Sequence, residues 1–131
     1  MDSRPRILFI DDEKNILDGY KRNLRHKRAQ WEMYFANHVS SAKKLLSEQA
    51  IDVIVTDIKM PGKNGFEFFH DLKENKQWKN SEIIMVTGLD DDDMKPIALN
   101  LGAFDLLKKP VITVDLITKI EQALENLKSR L

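Results

Sequence analysis

Near its start the chain reads Ile7-Leu8-Phe9-Ile10-Asp11-Asp12-Glu13, four apolar residues followed directly by three acids. A short apolar run rich in β-branched and aromatic residues is typical of a strand that is buried on both faces. Four similar runs follow this one along the chain. The sequence therefore predicts five strands, at residues 7–10, 33–36, 53–55, 83–86 and 104–107.

After each predicted strand, apolar residues recur at the spacing of an amphipathic helix. The five stripes are Ile16, Tyr20 and Leu24; Ala42, Leu45 and Leu46; Phe66, Phe69 and Leu72; Ile97, Ala98 and Leu101; and Ile117, Ile120, Leu124, Leu127 and Leu131. Strands that alternate with helices predict an α/β fold, a doubly wound five-stranded parallel sheet with helices on both sides. The pattern alone leaves the strand order open. The last stripe also fits a coiled-coil seam, through which two copies could form a homodimer.

Polar and small residues mark the expected helix ends. Ser40, Asn64 and Thr113 are predicted to cap the second, third and last helices, and Gly102 is predicted to end the fourth. Pro96 lies within the fourth helical pattern and has no backbone N–H. This helix is therefore expected to start late or to bend.

The 131 residues fit one compact domain, which we predict to span residues 1–131. Lys and Arg together number 21, as do Asp and Glu, so no overall positive charge attracts nucleic acid or an anionic membrane. The chain has no cysteine and no long apolar segment near its start. This composition suits a cytoplasmic protein better than a secreted or membrane-spanning one.

The residues directly after the predicted strands carry the chemistry. Asp11 and Asp12 follow the first strand, Asp57 the third and Thr87 the fourth, and Lys109 stands just beyond the fifth. In a parallel α/β sheet, ligands bind at the edge where the carboxyl ends of the strands meet. We therefore expect three carboxylates, a hydroxyl and an ammonium group to converge there.

Carboxylates held close together repel one another unless a cation lies between them, and a hard divalent ion with oxygen ligands suits this set. Magnesium is predicted because it keeps several positions for water and phosphoryl oxygens, whereas calcium takes more protein oxygens. With magnesium on one side and a lysine on another, a carboxylate can act as a nucleophile towards a phosphoryl group. Thr87 could donate a hydrogen bond to that group and so sense its presence.

Each of these residues also has a purely structural interpretation. An acidic pair after a strand is often a solvated turn, a threonine at a strand end often reflects strand propensity, and a lysine before proline is usually a surface residue. The functional interpretation rests on their joint placement at strand ends.

Four segments in this order resemble the receiver domains of two-component response regulators. The first is residues 7–13, and the others are Asp57-Ile58-Lys59-Met60-Pro61-Gly62-Lys63-Asn64-Gly65, Ile84-Met85-Val86-Thr87-Gly88 and Gly102-Ala103-Phe104-Asp105-Leu106-Leu107-Lys108-Lys109-Pro110. The resemblance spans essentially the whole chain. It implies the flavodoxin-like strand order 2-1-3-4-5.

The same resemblance implies a role for each residue of the expected site. Asp57 would accept the phosphoryl group with the help of Lys109, Thr87 would be the switch hydroxyl, and Gly88 would leave room for the phosphoryl group. Leu106 stands where the family usually has Tyr or Phe, whose ring moves inward with the threonine. A leucine cannot report the movement of Thr87 in that way.

The magnesium ion would be held by Asp12 directly, by Asp11 mainly through water, by Asp57, and by the backbone carbonyl of Lys59. Lys108, one residue before Lys109, would point to the other face of the strand. The resemblance also implies a cis peptide bond between Lys109 and Pro110.

The implied function is a signalling switch rather than an enzyme for an outside substrate. A histidine kinase or a histidine phosphotransfer protein would supply the phosphoryl group, and an output domain or partner protein would bind the face formed by the fourth helix, fifth strand and fifth helix. One alternative is an aspartate-dependent phosphohydrolase, but its typical second Asp would replace Lys59. Another is a degenerate receiver domain that only docks to partners. Flavin binding would need a phosphate-binding loop after the first strand, where the acids stand.

Overall fold

The computed structural model describes residues 3–58, 65–74, 80–88 and 94–130, and the side chains of Phe66 and Phe68 lie outside that description. All five predicted strands are present, with ends within one or two residues of the prediction. They are β1 (Arg6–Ile10), β2 (Glu32–Ala36), β3 (Val53–Asp57), β4 (Glu82–Thr87) and β5 (Asp105–Lys108).

A helix follows each strand, as the apolar stripes predicted. The helices are α1 (Lys14–Asn23), α2 (Val39–Glu48), α3 (Gly65–Glu74), α4 (Met94–Asn100) and α5 (Thr113–Ser129). A short 3₁₀ turn at Arg25–Lys27 lies between α1 and β2. None of the helices in the described part of the chain has both the length and the apolar character that crossing a bilayer requires.

The strands form one sheet in the order β2-β1-β3-β4-β5, and every neighbouring pair is parallel. In register, Phe9 of the interior strand β1 lies beside Phe35 of β2 and Val55 of β3. The order that the resemblance implied is confirmed. Because all strands point the same way, their carboxyl ends meet at a single edge.

Each face of the sheet has its own apolar core, since side chains alternate between the faces along a strand. One core, on the side of α2, α3 and α4, includes Leu8, Ile54 and Met85. The other, on the side of α1 and α5, includes Phe9 and Ile84. The burial on both faces explains why the strands read as continuous apolar runs in the sequence.

Two of the predicted helix caps are wrong. Helix α2 is capped by His38 instead of Ser40, because the His38 ring nitrogen accepts the Ser41 backbone N–H at 3.2 Å. The Ser40 hydroxyl instead makes a hydrogen bond with that same ring. Thr113 is the first residue of α5 rather than its cap, and the cap position is taken by Ile112, which makes no capping bond. The predicted cap Asn64 lies outside the described residues.

Helix α4 differs from the others in what it buries. Its range puts Pro96 in the first turn, as the missing N–H required, and Gly102 follows its end with a φ of 104° that glycine tolerates. Of the predicted stripe only Ala98 is buried, whereas Ile97 and Leu101 are 46% and 48% exposed. Helix α4 contacts the core through the small Ala98 and the half-buried Met94, and it leaves Ile97 and Leu99 exposed.

The stripe on α5 packs on the sheet. Ile120 is fully buried, and Ile117, Leu124 and Leu127 are half-buried against the core on the side of α1. Packing on the sheet therefore accounts for these positions without a coiled coil. Leu131, the last member of the predicted stripe, lies outside the described residues.

Candidate functional site

The carboxyl ends of the strands bring the predicted residues together. Asp11 directly follows β1, Asp57 ends β3, Thr87 ends β4 and Lys109 directly follows β5. The Lys109 ammonium lies 2.9 Å from Asp57 Oδ2 and 3.0 Å from Asp11 Oδ2. It therefore bridges two carboxylates that are 46 residues apart in the sequence.

The site is largely removed from solvent, except on one side. Asp11 and Thr87 are each 1% exposed and Asp57 is 6% exposed, whereas Asp12 lies exposed at the surface. Charged groups are rarely buried to this extent unless they are paired. The burial thus singles out Asp11 and Asp57 from ordinary surface acids, and it leaves an approach on the side of Asp12.

Asp11 is held in place by backbone bonds. Its own N–H donates to the Ala36 carbonyl at 3.2 Å, and its Oδ1 accepts the Glu13 N–H at 2.9 Å. Its Oδ2 is near the Lys109 ammonium, but among the described residues no hydrogen bond of good geometry reaches this buried oxygen. Lys109 and Asp11 Oδ2 can form an ion pair at 3.0 Å without a hydrogen bond, because the attraction between charges does not depend on the direction of the N–H bond. The oxygen keeps a lone pair for a cation.

The charges at the site influence one another. Burial raises the pKa of Asp11 above its ordinary value, and the negative charge of Asp57 adds to this, while the Glu13 N–H and Lys109 act the other way. Burial by itself would lower the pKa of Lys109, but its hydrogen bond with Asp57 and its ion pairs with Asp57 and Asp11 outweigh burial and raise the pKa. The lysine therefore remains a cation at neutral pH.

The acidic group fits a divalent cation. Asp11, Asp12 and Asp57 each place one carboxylate oxygen in a group whose members lie within 4.8 Å of one another. Three carboxylates and one ammonium leave two negative charges, which a divalent ion would balance. Oxygen-only ligation by a few carboxylates is the arrangement that magnesium accepts, with water in its remaining positions. The predicted fourth ligand, the carbonyl of Lys59, lies outside the described residues.

The remaining predicted residues stand around this group. The Lys109 backbone N–H donates to the Thr87 carbonyl at 2.7 Å, which ties the end of β4 to the segment after β5. A methyl group added to Gly88 would meet no atom of the described residues within 4 Å, so that part of the chain leaves open space beside Gly88. Lys108 is exposed, and the Lys109–Pro110 peptide bond is cis.

Leu106 is buried in the core on the side of α2, α3 and α4, with 6% of its surface exposed, and it pairs in register with Met85 of β4. The position that the resemblance links to an aromatic switch is thus filled by an aliphatic side chain packed inward. No aromatic ring stands there to move.

Two further charged residues were missed at the sequence level. Glu13 is the outermost, with its carboxylate 3.9 Å from the Lys109 ammonium and 63% exposed. Its N–H bond to Asp11 has a readable signal, since an Asp often accepts the N–H two residues further on. The other is Asp105 at the start of β5. No local pattern marks it, because its partners come from α4 and α5.

Asp105 links three elements from the amino end of β5. Its carboxylate is 2.8 Å from the Lys119 ammonium on α5 and 3.5 Å from that of Lys95 on α4, and it accepts the Leu106 N–H at 2.7 Å. Burial would raise the pKa of Asp105, but these donors outweigh burial and lower the pKa below its ordinary value of 3.8. Asp105 therefore favours folding in its charged form.

Replacing Asp105 by Asn is expected to lower the free energy of unfolding at pH 7 by about 1.5–3 kcal/mol, the range for hydrogen bonds to a charged group. Because the pKa of Asp105 is lowered in the folded state, the difference between wild type and D105N is fully present above about pH 5 and declines as the pH falls through the folded pKa. Urea unfolding at pH 7, 5 and 3 measures it. A difference that grows on acidification would contradict the ion-pair assignment.

Comparison with known proteins agrees with this geometry. A family model described as the response regulator receiver domain matches residues 7–121. The structure of a receiver domain from Clostridium thermocellum is 32% identical with a TM-score of 0.86, and the match covers 97% of this chain and 99% of that one. A CheY-like receiver domain from Methanospirillum hungatei JF-1 is 28% identical with a TM-score of 0.86, covering 98% and 100% of the two chains. A chemotaxis response regulator of Vibrio cholerae is 26% identical with a TM-score of 0.81, covering 93% and 100%.

Proposed function

Because the chain belongs to the response regulator receiver domain family, whose members are signalling switches, we propose that it accepts a phosphoryl group from a phosphohistidine donor onto Asp57. The observation that carries the proposal is the pair of short distances from Lys109 to Asp57 and Asp11 inside a buried acidic group. We further propose that residues 1–131 form one receiver domain that works in the cytoplasm. The donor would be a histidine kinase or a histidine phosphotransfer protein.

In the proposed transfer, a carboxylate oxygen of Asp57 attacks phosphorus. A new O–P bond forms as the P–N bond to the donor imidazole breaks, and the electron pair of that bond goes to the imidazole nitrogen. Lys109, already 2.9 Å from Asp57, stabilises the negative charge on the phosphoryl oxygens, and the open space beside Gly88 accommodates the group. The Thr87 hydroxyl then donates to a phosphoryl oxygen and so couples the chemistry to β4.

When bound, magnesium would supply positive charge that draws the phosphoryl oxygens towards Asp57. Asp11, Asp12 and Asp57 would hold it, with the Lys59 carbonyl as a further proposed ligand. Three observations on this chain support the site. Asp11 Oδ2 accepts no hydrogen bond from the described residues, the three carboxylates lie close together, and with Lys109 they leave a surplus of two negative charges.

The signal would leave through the face formed by α4, β5 and α5, to an output domain or partner protein. Ile97 of α4 and Leu101 just beyond its end are nearly half exposed, and Asp105 ties α4 to α5 through β5. A large apolar side chain left in water favours a contact. Because Leu106 replaces the usual aromatic residue, we propose that the Asp105 ion pairs, rather than a moving ring, transmit the shift of β4 and β5.

The phosphohydrolase alternative gains nothing from this geometry. Such an enzyme would typically carry a second acid where Lys59 stands, and among the described residues no carboxylate other than Asp11, Asp12 and Glu13 approaches Asp57 or Lys109. The docking-only alternative is disfavoured because Lys109 lies within 3.0 Å of both Asp57 and Asp11, which a docking surface alone would not require.

The test is intact-protein mass after incubation with acetyl phosphate, with and without Mg²⁺. We expect wild type to gain one phosphoryl group only with Mg²⁺, D57N to gain none, and the matched variant Asp115→Asn, in the exposed first turn of α5, to behave as wild type. Equal gain in D57N would reject Asp57 as the acceptor. No gain in any sample would favour the docking-only alternative.

A further inference from the structure

Positive charge is concentrated in one short segment of an otherwise balanced chain. Five of the eight residues from 21 to 28 are Lys or Arg, and none is acidic. Lys27 is neutralised by Glu121 on α5 at 3.3 Å. The structure gives Lys21, Arg25 and Arg28 no acidic partner among the residues that it describes, and all three are exposed. These charges are thus available to a ligand.

Two of these cations border a groove at the edge of the sheet, which we name the β2 groove. It has a volume of about 390 Å³ and is lined by Arg4, Lys21, Arg28, Trp31, Glu32, Met33 and Phe35. Arg4 Nη1 donates to the Arg28 carbonyl at 2.5 Å, which places the Arg4 guanidinium beside the backbone of Arg28. Glu32, the one acid among the lining residues that the structure describes, already binds Arg6 and the Tyr34 hydroxyl. The groove therefore carries a net positive charge.

The floor of the β2 groove is apolar. Met33 and Phe35 are half-buried, and the Lys21 ammonium lies 5.1 Å from the centre of the Phe35 ring. Trp31 is 4% exposed and lies below Lys27. Because the aromatic faces are buried or covered by lysines, nucleic acid bases have no free ring on which to stack. The floor suits aliphatic side chains better.

The strand that forms this floor is an edge strand. β2 pairs only with β1 in the described sheet, so one of its two hydrogen-bonding edges faces away from the other strands. An edge of this kind can accept an extended peptide as an additional strand. Alternate side chains of such a peptide would point to the groove and to solvent, since side chains alternate along a strand.

We infer that the β2 groove binds an extended segment of a partner protein in which acidic and aliphatic residues alternate. The backbone of the segment would pair with β2, its aliphatic side chains would lie against Met33, and its carboxylates would pair with Lys21 and Arg28. The groove lies away from Lys109 and Asp57, so this binding does not depend on the proposed phosphorylation.

The test uses a fluorescein-labelled octapeptide that alternates Glu and Val. We expect fluorescence anisotropy to show binding to wild type that weakens as NaCl is raised, and no binding of the Lys–Val counterpart. K21E/R28E should weaken binding about tenfold through the loss of charge pairing at the rim. The matched variant K44E/K128E changes the net charge equally at exposed positions elsewhere and should bind as wild type.

A second readout tests the mode of binding. Amide hydrogen exchange in β2 should slow when the Glu–Val peptide is bound, and a peptide with Pro in place of two Val residues should bind several-fold more weakly because it lacks backbone donors. Phosphorylation by acetyl phosphate should be the same in K21E/R28E as in wild type, which confirms that the variant is folded. An equal loss of Glu–Val peptide binding in K44E/K128E would overturn the inference. Tighter, Lys21-dependent binding of oligothymidine or of anionic phospholipid vesicles would overturn it as well.

Discussion

Replacing Lys109 by Met is expected to slow phosphorylation from acetyl phosphate by about a hundredfold or more, the cost typical of removing one preorganised charge that stabilises a transition state. The methionine keeps the length of the side chain but removes the ammonium that lies 2.9 Å from Asp57 and 3.0 Å from Asp11. The phosphoryl oxygens would then lose one of their two neutralising partners. The rate is measured from the growth of the phosphorylated mass with time at saturating Mg²⁺.

The neighbouring substitution Lys108→Met is the matched control. Lys108 is exposed, and its replacement removes the same charge one residue away from Lys109. It should phosphorylate within about twofold of wild type, as expected when an exposed charge is lost outside the site. If both variants were slowed equally, the effect would be one of overall charge, and the position of Lys109 between the carboxylates would not explain it.

Replacing Phe9 by Ala should lower the free energy of unfolding by about 3–5 kcal/mol, the usual cost of truncating a buried aromatic residue. Phe9 is fully buried in the interior strand β1, and its ring centre lies 5.2 Å from those of both Phe35, on which it stacks, and Tyr20. Its removal leaves a cavity between the sheet and α1. Urea unfolding of wild type and F9A gives the difference.

Phe35→Ala provides the comparison within the same stacked pair. Phe35 is only half-buried, and Lys21 covers its ring, so its truncation should cost clearly less than that of Phe9. An equal or larger loss in Phe35→Ala would show that the core on the side of α1 is centred elsewhere than on β1.

The fold could be predicted because both kinds of element leave a strong local signal. Ile7-Leu8-Phe9-Ile10 is buried on both faces, so it reads as an uninterrupted apolar run, and the stripes on the helices follow from packing on one side. Helix starts were harder, because a cap depends on one hydrogen bond. Either the His38 ring or the Ser40 hydroxyl could accept a backbone N–H at the start of α2, and the sequence does not reveal which of them does so. In the structure the His38 ring accepts the Ser41 N–H.

The candidate site could be predicted because the ends of parallel strands meet at one edge whatever the strand order. Asp11, Asp57 and Lys109 could therefore be grouped before any distance was known. The ion pairs of Asp105 could not, since they depend on how α4 and α5 approach the edge of β5. The exposure of Ile97 has the same origin, because helical spacing does not say how much of a short helix the sheet covers.

The net charge concealed the β2 groove. The charge summed over the chain is zero because 21 basic residues match 21 acidic ones, and this sum hides the five bases of residues 21–28. Charges that cancel in the sum can still lie at different places on the surface, and each place attracts its own partner. A count of charge in short windows would have marked the segment.

The most direct test of the proposed switch identifies the phosphorylated residue itself. The chain is phosphorylated with acetyl phosphate and Mg²⁺, reduced with borohydride, digested and sequenced by tandem mass spectrometry. An aspartyl phosphate is reduced to the alcohol, so the modified Asp loses one oxygen and gains two hydrogens, becoming homoserine. We predict this change at Asp57 alone. The same change at Asp11 or Asp12, or its absence from every aspartate of a chain that has gained a phosphoryl group, would contradict the proposed function.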